Sequence, residues 1–95
     1  MDKTLNNLGL CMRAGYVITG EEMVTEYIKS KKVFYIFLAS DAGANTKKKI
    51  TDKAKFYNVD ICESYSSDLL SQSIGKKGRM VVGITDLGFS KLLRK

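Results

Sequence analysis

Val33-Phe34-Tyr35-Ile36-Phe37-Leu38-Ala39 is an unbroken apolar run, rich in aromatic and branched residues, in a chain of 95 residues. Its length is that of a strand, and the lack of alternation predicts burial on both faces. Such a strand needs helices above and below it, and the flanking sequence supplies them. Leu5, Leu8 and Met12, with Cys11 beside them, form one face of a first helix that Gly15 ends. Tyr16-Val17-Ile18 reads as a short strand, and Thr19 to about Lys31 as a second helix with Val24, Tyr27 and Ile28 inward. After the central strand, Asn45 is the expected N-cap of a third helix that turns Ile50, Ala54 and Tyr57 inward.

Asp60-Ile61-Cys62-Glu63 reads as a short strand. Ser66 to Ile74 reads as a helix capped by Ser66 or Ser67, with Leu69, Leu70 and Ile74 inward. A loop, Gly75-Lys76-Lys77-Gly78, leads into a second buried strand, Arg79 to Ile84. Asp86 caps a last helix carrying Phe89, Leu92 and Leu93, and the tail Lys91 to Lys95 is expected to fray. Helices and strands alternate with short connections. The expected fold class is therefore α/β, a three-layer α/β/α sandwich in a single domain spanning 1–95.

Charge narrows the function. The net charge is +6 and the pI about 9.4, which points to an acidic partner, nucleic acid first and an anionic membrane second. No secretory signal or transmembrane stretch is expected, since the apolar runs are of strand length. Cys11 and Cys62 show no metal spacing and read as buried thiols of a reducing cytosol. The chain has no His, which removes the commonest general base and metal ligand, so neither catalysis nor a cofactor is expected. Neither nucleotide fingerprint is present, which excludes ATP and NAD sites.

Three segments carry the candidate chemistry. Thr19-Gly20-Glu21-Glu22, followed by Met23, reads as a capping box, and its glycine also allows close approach of another backbone. The stretch from Asp41 through Asn45-Thr46-Lys47-Lys48-Lys49 puts lysines at what is expected to be the start of a helix. Cations are disfavoured there, because the first turn already carries free N–H groups and partial positive charge. The combination suits an anion, phosphate above all, although a solvated basic face is the plain alternative. In Gly75-Lys76-Lys77-Gly78-Arg79 the glycines let backbone come close to a ligand and Arg79 can grip phosphate with two nitrogens. A flexible surface turn is the alternative there.

In this order the segments resemble the kink-turn-binding L7Ae/L30e superfamily of ribosomal and ribonucleoprotein proteins, most of all its small bacterial YlxQ branch. The resemblance rests on Leu8-Gly9-Leu10, Arg13-Ala14-Gly15, Thr19 to Glu22, Leu38 to Ala42, Asn45 to Lys48, Tyr57-Asn58-Val59, Leu70 to Gly75, and Val81 to Asp86. It covers nearly the whole chain. It implies a mixed four-stranded sheet and recognition of RNA with a kink-turn, a sharply bent internal loop with tandem G·A pairs. By position it implies RNA contacts from Thr19, Gly20, Glu21, Glu22 and Met23, from Asp41, Asn45, Thr46, Lys47 and Lys48, and from Lys76, Lys77, Gly78 and Arg79. Along the second helix this chain has Glu22, Met23 and Glu26 where the family commonly has a polar pair and then lysine. Lys29 is the nearest downstream cation expected to take over a phosphate contact.

The expected protein is thus a cytoplasmic, monomeric RNA-binding protein without a membrane role. Its partner would be a kink-turn, ribosomal RNA or a messenger leader, with the ribosome as a further partner. The rival reading is a protein–protein module of the translation or transcription machinery. Apolar faces consumed by the sandwich, leaving no spare stripe for a partner helix, argue against that rival.

Overall fold

The computed structural model describes residues 2–94. In chain order it contains α1 (Lys3–Arg13), β1 (Val17–Thr19), α2 (Glu21–Lys29), β2 (Tyr35–Leu38), α3 (Ala44–Phe56), β3 (Ile61–Cys62), α4 (Ser67–Ile74), β4 (Val81–Ile84) and α5 (Leu87–Leu93). The strands form one mixed sheet in the order β1-β4-β2-β3. β4 runs antiparallel to both β1 and β2, and β3 runs parallel to β2. Helices α1, α4 and α5 pack together, and α2 packs with α3, which gives the expected layers around the sheet. No described helix is long and apolar enough to cross a membrane.

The core is built from the strands the sequence marks as apolar. Ile36, Phe37, Leu38 and all of β4 are buried, and Leu8, Val24, Ile28, Ile50, Leu70 and Leu93 close over them from the helices. The central strand is shorter than the apolar run that encodes it. Val33 and Ala39 are buried beyond its hydrogen-bonded part, while Phe34 and Tyr35 keep partial exposure. Close packing also sets a size limit on α1: a Cβ at Gly9 would lie 2.9 Å from the Ser73 carbonyl oxygen on α4.

Several local expectations are corrected. The N-cap of α2 is Gly20, with φ 97° and ψ 145°, and no side chain caps the helix. Thr19 stays in β1, so the Thr19–Glu22 capping box does not form, and α2 ends at Lys29 rather than Lys31. The N-cap of α3 is Gly43, not Asn45, which sits inside the first turn. Lys47, Lys48 and Lys49 therefore occupy the second turn, where the unfavourable end charge has largely faded.

On α4 and α5 the inward faces combine Leu70, Ile74 and Leu93 with serines, and Leu69 and Leu92 turn outward. Ser71 and Ser90 are buried, whereas Leu69 and Leu92 are 43% and 39% exposed. A buried serine is tolerable because its hydroxyl finds a carbonyl, as Ser90 does on Leu87 O at 2.6 Å. Apolar surface is not wholly consumed either, since Phe56 is 77% exposed at the end of α3. Cys11 is buried as expected, but Cys62 is only half-buried. The C-terminal segment is held through Arg94, whose guanidinium donates to Asp60 at 2.7 Å and to Phe34 O at 3.0 Å. Of the tail expected to fray, Lys95 lies outside the described residues.

Candidate nucleic-acid interface

Sheet topology brings the three segments to one edge. Because β4 is antiparallel to β1 and β2, the ends of β1 and β2 lie beside the start of β4. Gly20 N–H donates to Val81 O at 3.0 Å, and Ala39 N–H donates to Met80 O at 2.8 Å. The start of α2, the loop into α3 and the loop into β4 consequently face one another. Gly20, Glu21, Thr46, Gly78, Arg79, Met80 and Val81 line a single open recess there, with residues from each segment. A neighbouring recess is lined by Thr19, Gly20, Glu21, Glu22, Met23 and Lys49.

Backbone conformation shapes the first wall. The Gly20 dihedrals are essentially glycine-only, and they turn the chain from strand to helix without a side chain standing over the recess. Met23, in the first turn of α2, is 49% exposed beside it.

The second wall is electrostatic. The helix ladder of α3 begins with Lys47 N–H to Gly43 O at 3.0 Å, so the N–H groups of Ala44, Asn45 and Thr46 precede it. Lys47 folds back, its Nζ donating to Ser40 O at 2.7 Å, which holds an ammonium group over the loop. Lys48 and Asn45 are exposed and Thr46 is half-buried. Lys49 reaches across to α2, with its Nζ 3.5 Å from the Glu21 carboxylate. That pair offsets the acid at the start of α2. α3 carries five lysines against Asp52, so +4 of the chain's +6 resides on one helix.

The third wall is pinned by Ser71. Its hydroxyl accepts from Arg79 N–H at 2.8 Å and lies 3.4 Å from Arg79 O, fastening the loop's exit to α4. Lys76 and Lys77 project from the exposed loop, and Gly78 adopts φ 64°. The Arg79 side chain is half-buried, and its Nε, shielded from solvent, has no hydrogen-bond partner.

Two expected site residues stand apart. Asp41 accepts from both the backbone N–H and the hydroxyl of Ser67, at 2.7 Å each. Its carboxylate is thus engaged in joining the β2–α3 loop to the start of α4, and Ser67 holds its pKa below the ordinary 3.8. Lys29 lies at the far end of α2, about 12 Å along the helix from Glu21, and its Nζ is 4.0 Å from Glu26. Conversely, Lys49 and Met80 line the site although neither is among the RNA contacts the family resemblance implies. Lys49 belongs to a visible lysine run, but its partner Glu21 is remote in sequence and no local pattern pairs them.

The chain matches the model of the Ribosomal protein L7Ae/L30e/S12e/Gadd45 family over residues 2–94. It is 47% identical over 89 residues to the RNA-binding protein YlxQ of Enterococcus faecium, covering 94% of this chain and 85% of that one. To the RNA-binding protein YlxQ of Bacillus subtilis (strain 168) it is 42% identical over 86 residues, covering 90% and 86%. Its fold superimposes on a protein of unknown function from Bacillus halodurans with a TM-score of 0.96 and 39% identity, over 99% of this chain and 95% of the other. The 15.5kD RNA binding protein of Giardia lamblia shares the fold, with a TM-score of 0.80 at 13% identity over 95% of this chain and 78% of the other. The chain belongs to the L7Ae/L30e/S12e/Gadd45 family.

Proposed function

We propose that the sheet edge formed by Gly20 to Met23, Asn45 to Lys49 and Gly78 to Met80 binds structured RNA, with the kink-turn as the shape it selects. The observation that carries this reading is the meeting of three sequence-distant segments in one recess, beside the helix that holds most of the excess charge. The YlxQ relatives are RNA-binding proteins by name, and this chain is 47% and 42% identical to them over the aligned residues.

A kinked RNA brings phosphates closer together than a straight duplex does. Clustered lysines therefore favour the kinked state by differential affinity. Lys47, Lys48 and Arg79 serve as phosphate contacts, with Lys76 and Lys77 on the flank. The N–H groups at the start of α3 add donors for a phosphate oxygen. Gly20 and Gly78 let backbone approach splayed nucleotides, which is how proteins read RNA shape instead of duplex sequence. Glu21 and Glu22 face the same space. A carboxylate can accept from a guanine edge, and Lys49 tempers the repulsion that Glu21 would exert on phosphate. Asp41 supports the site by fixing the corner at Ser67. The protein acts by binding rather than catalysis, as a cytoplasmic monomer working on ribosomal or messenger-leader RNA, with the ribosome as a further partner.

The test is titration against a kink-turn RNA and against the same strands without the bulge, at two salt concentrations. Tighter binding of the bulged RNA is expected, with log K falling by roughly 0.7–0.9 per phosphate contact for each decade of salt. Equal affinity for both RNAs overturns kink recognition.

A further inference from the structure

Phe56 leaves 77% of its surface in water, more than any other large apolar side chain among the described residues. It is not an isolated surface residue. Its ring meets Tyr57 edge to face, with centroids 4.9 Å apart and planes at 74°, a contact that restrains an otherwise free ring. It also lines a recess with Lys49, Asp52, Lys53 and Tyr57. Lys49, Lys53 and Phe56 follow the i, i+4, i+7 spacing that puts them on one helical face. Lys49 lines this recess and the one beside Gly20 as well, so the two adjoin at Lys49.

We propose that this face of α3 holds a single-stranded extension of the bound RNA, with Lys49 and Lys53 on its phosphates and one unpaired base stacked on Phe56. The proposal rests on the RNA-binding reading of the sheet edge and extends it down the helix. α3 runs about 18 Å from Ala44 to Phe56, a span that a few extended nucleotides cover. The recess sets Lys53, and Lys49 shared with Glu21, beside Asp52 and the aromatic ring, and these cations suit a polynucleotide better than an apolar partner segment. An exposed aromatic ring beside cations is the usual platform for a base, and it is tolerant of sequence.

The experiment compares a kink-turn hairpin with the same hairpin bearing a four-nucleotide extension at the 5′ or the 3′ end, with 2-aminopurine placed in the extension. One of the two extensions is expected to raise affinity roughly tenfold. Phe56→Ala loses that gain while binding the blunt hairpin like the parent, and Phe56→Trp keeps it. 2-Aminopurine fluorescence falls on binding to the parent and to Phe56→Trp, but not to Phe56→Ala. If Phe56→Ala binds blunt and extended RNAs with parental affinities, the proposal is overturned and the sheet-edge reading survives. If the blunt hairpin does not bind but the isolated extension does so in a Phe56-dependent way, the sheet-edge reading fails and the platform stands. Binding of neither RNA overturns both. Phe56-dependent capture of a protein, with RNA affinities unchanged, also overturns the proposal.

Discussion

Lys49 and Glu21 form an ion pair of 3.5 Å between α3 and α2, joining two walls of the recess. Both side chains are partly solvated, so the pair adds little to stability, within about 0.5 kcal/mol. Its larger effect is on the local field. Glu21→Gln frees the Lys49 ammonium and removes a negative charge from the proposed RNA site. Tighter RNA binding at low salt is expected, with a steeper salt slope, by roughly one phosphate contact. Filter binding across a salt series measures both, and an unchanged slope would show that Lys49 does not face RNA.

Lys47 and Lys48 test the basic wall directly. Without one of its phosphate contacts, the complex should be weaker by roughly fivefold near 0.15 M salt. The double charge reversal Lys47→Glu/Lys48→Glu should weaken binding by at least roughly 25-fold and flatten the salt slope by about two phosphates. Parental affinity and slope in this variant would remove α3 from the interface. Because Lys47 Nζ also bonds Ser40 O, circular dichroism should confirm that the loop change leaves the fold intact.

Gly20 and Gly43 are both N-caps without a side-chain hydrogen bond, yet only one needs to be glycine. A Cβ finds open space at either position. The backbone separates them: Gly20 has φ 97° and Gly43 has φ −64°. Gly20→Ala is expected to cost about 1–3 kcal/mol through strain alone and to weaken RNA binding by shifting the start of α2. Gly43→Ala should stay within about 0.5 kcal/mol of the parent. Urea denaturation of the two variants measures the contrast.

How much of the molecule is legible in its sequence follows from which interactions are local. The apolar run at β2, the face at Leu5 and Leu8, the Ser66 and Asp86 caps and the α/β/α layering all rest on neighbouring residues, and sequence reasoning places them. It misplaces the N-caps of α2 and α3 because Thr19 and Asn45 have the better capping side chains. Tertiary pairing overrides that preference at α2: Thr19 is held in β1 opposite Val82, which leaves Gly20 to make the turn. Serines share the inner faces of α4 and α5 with Leu70 and Leu93, while Leu69 and Leu92 turn outward, for a related reason. Ser71 and Ser90 satisfy their hydroxyls on backbone, and no hydrophobicity pattern encodes that. At the candidate interface, composition marks the basic and glycine-rich segments, but only sheet topology reveals that they meet and that Lys29 does not join them.

Asp41 provides a pH-dependent check. Its carboxylate accepts two hydrogen bonds from Ser67, which hold the folded-state pKa below 3.8. A lowered folded pKa stabilises the fold fully above the ordinary value, and the contribution disappears as pH falls through the folded-state value. The thermal midpoint of Asp41→Ala should therefore lie below that of the parent at neutral pH. The gap should close progressively below pH 3.8. A gap independent of pH would mean that the ionised carboxylate is not what holds the Ser67 corner.

Ser71→Ala separates positioning from charge at the third wall. The Ser71 hydroxyl is buried and is the acceptor for Arg79 N–H at 2.8 Å. Removing it strands a backbone donor in a poorly hydrated place, which costs about 1–3 kcal/mol. It also frees the segment that carries Gly78 and Arg79 into β4, so RNA affinity should fall. Every charge proposed to bind phosphate remains, however, and the salt slope should match the parent's within error. Arg79→Ala should instead lower affinity and reduce the slope by about one phosphate. A flattened slope in Ser71→Ala would show that the hydroxyl holds the guanidinium on phosphate. An unchanged affinity would show that the recess keeps its shape without this clasp.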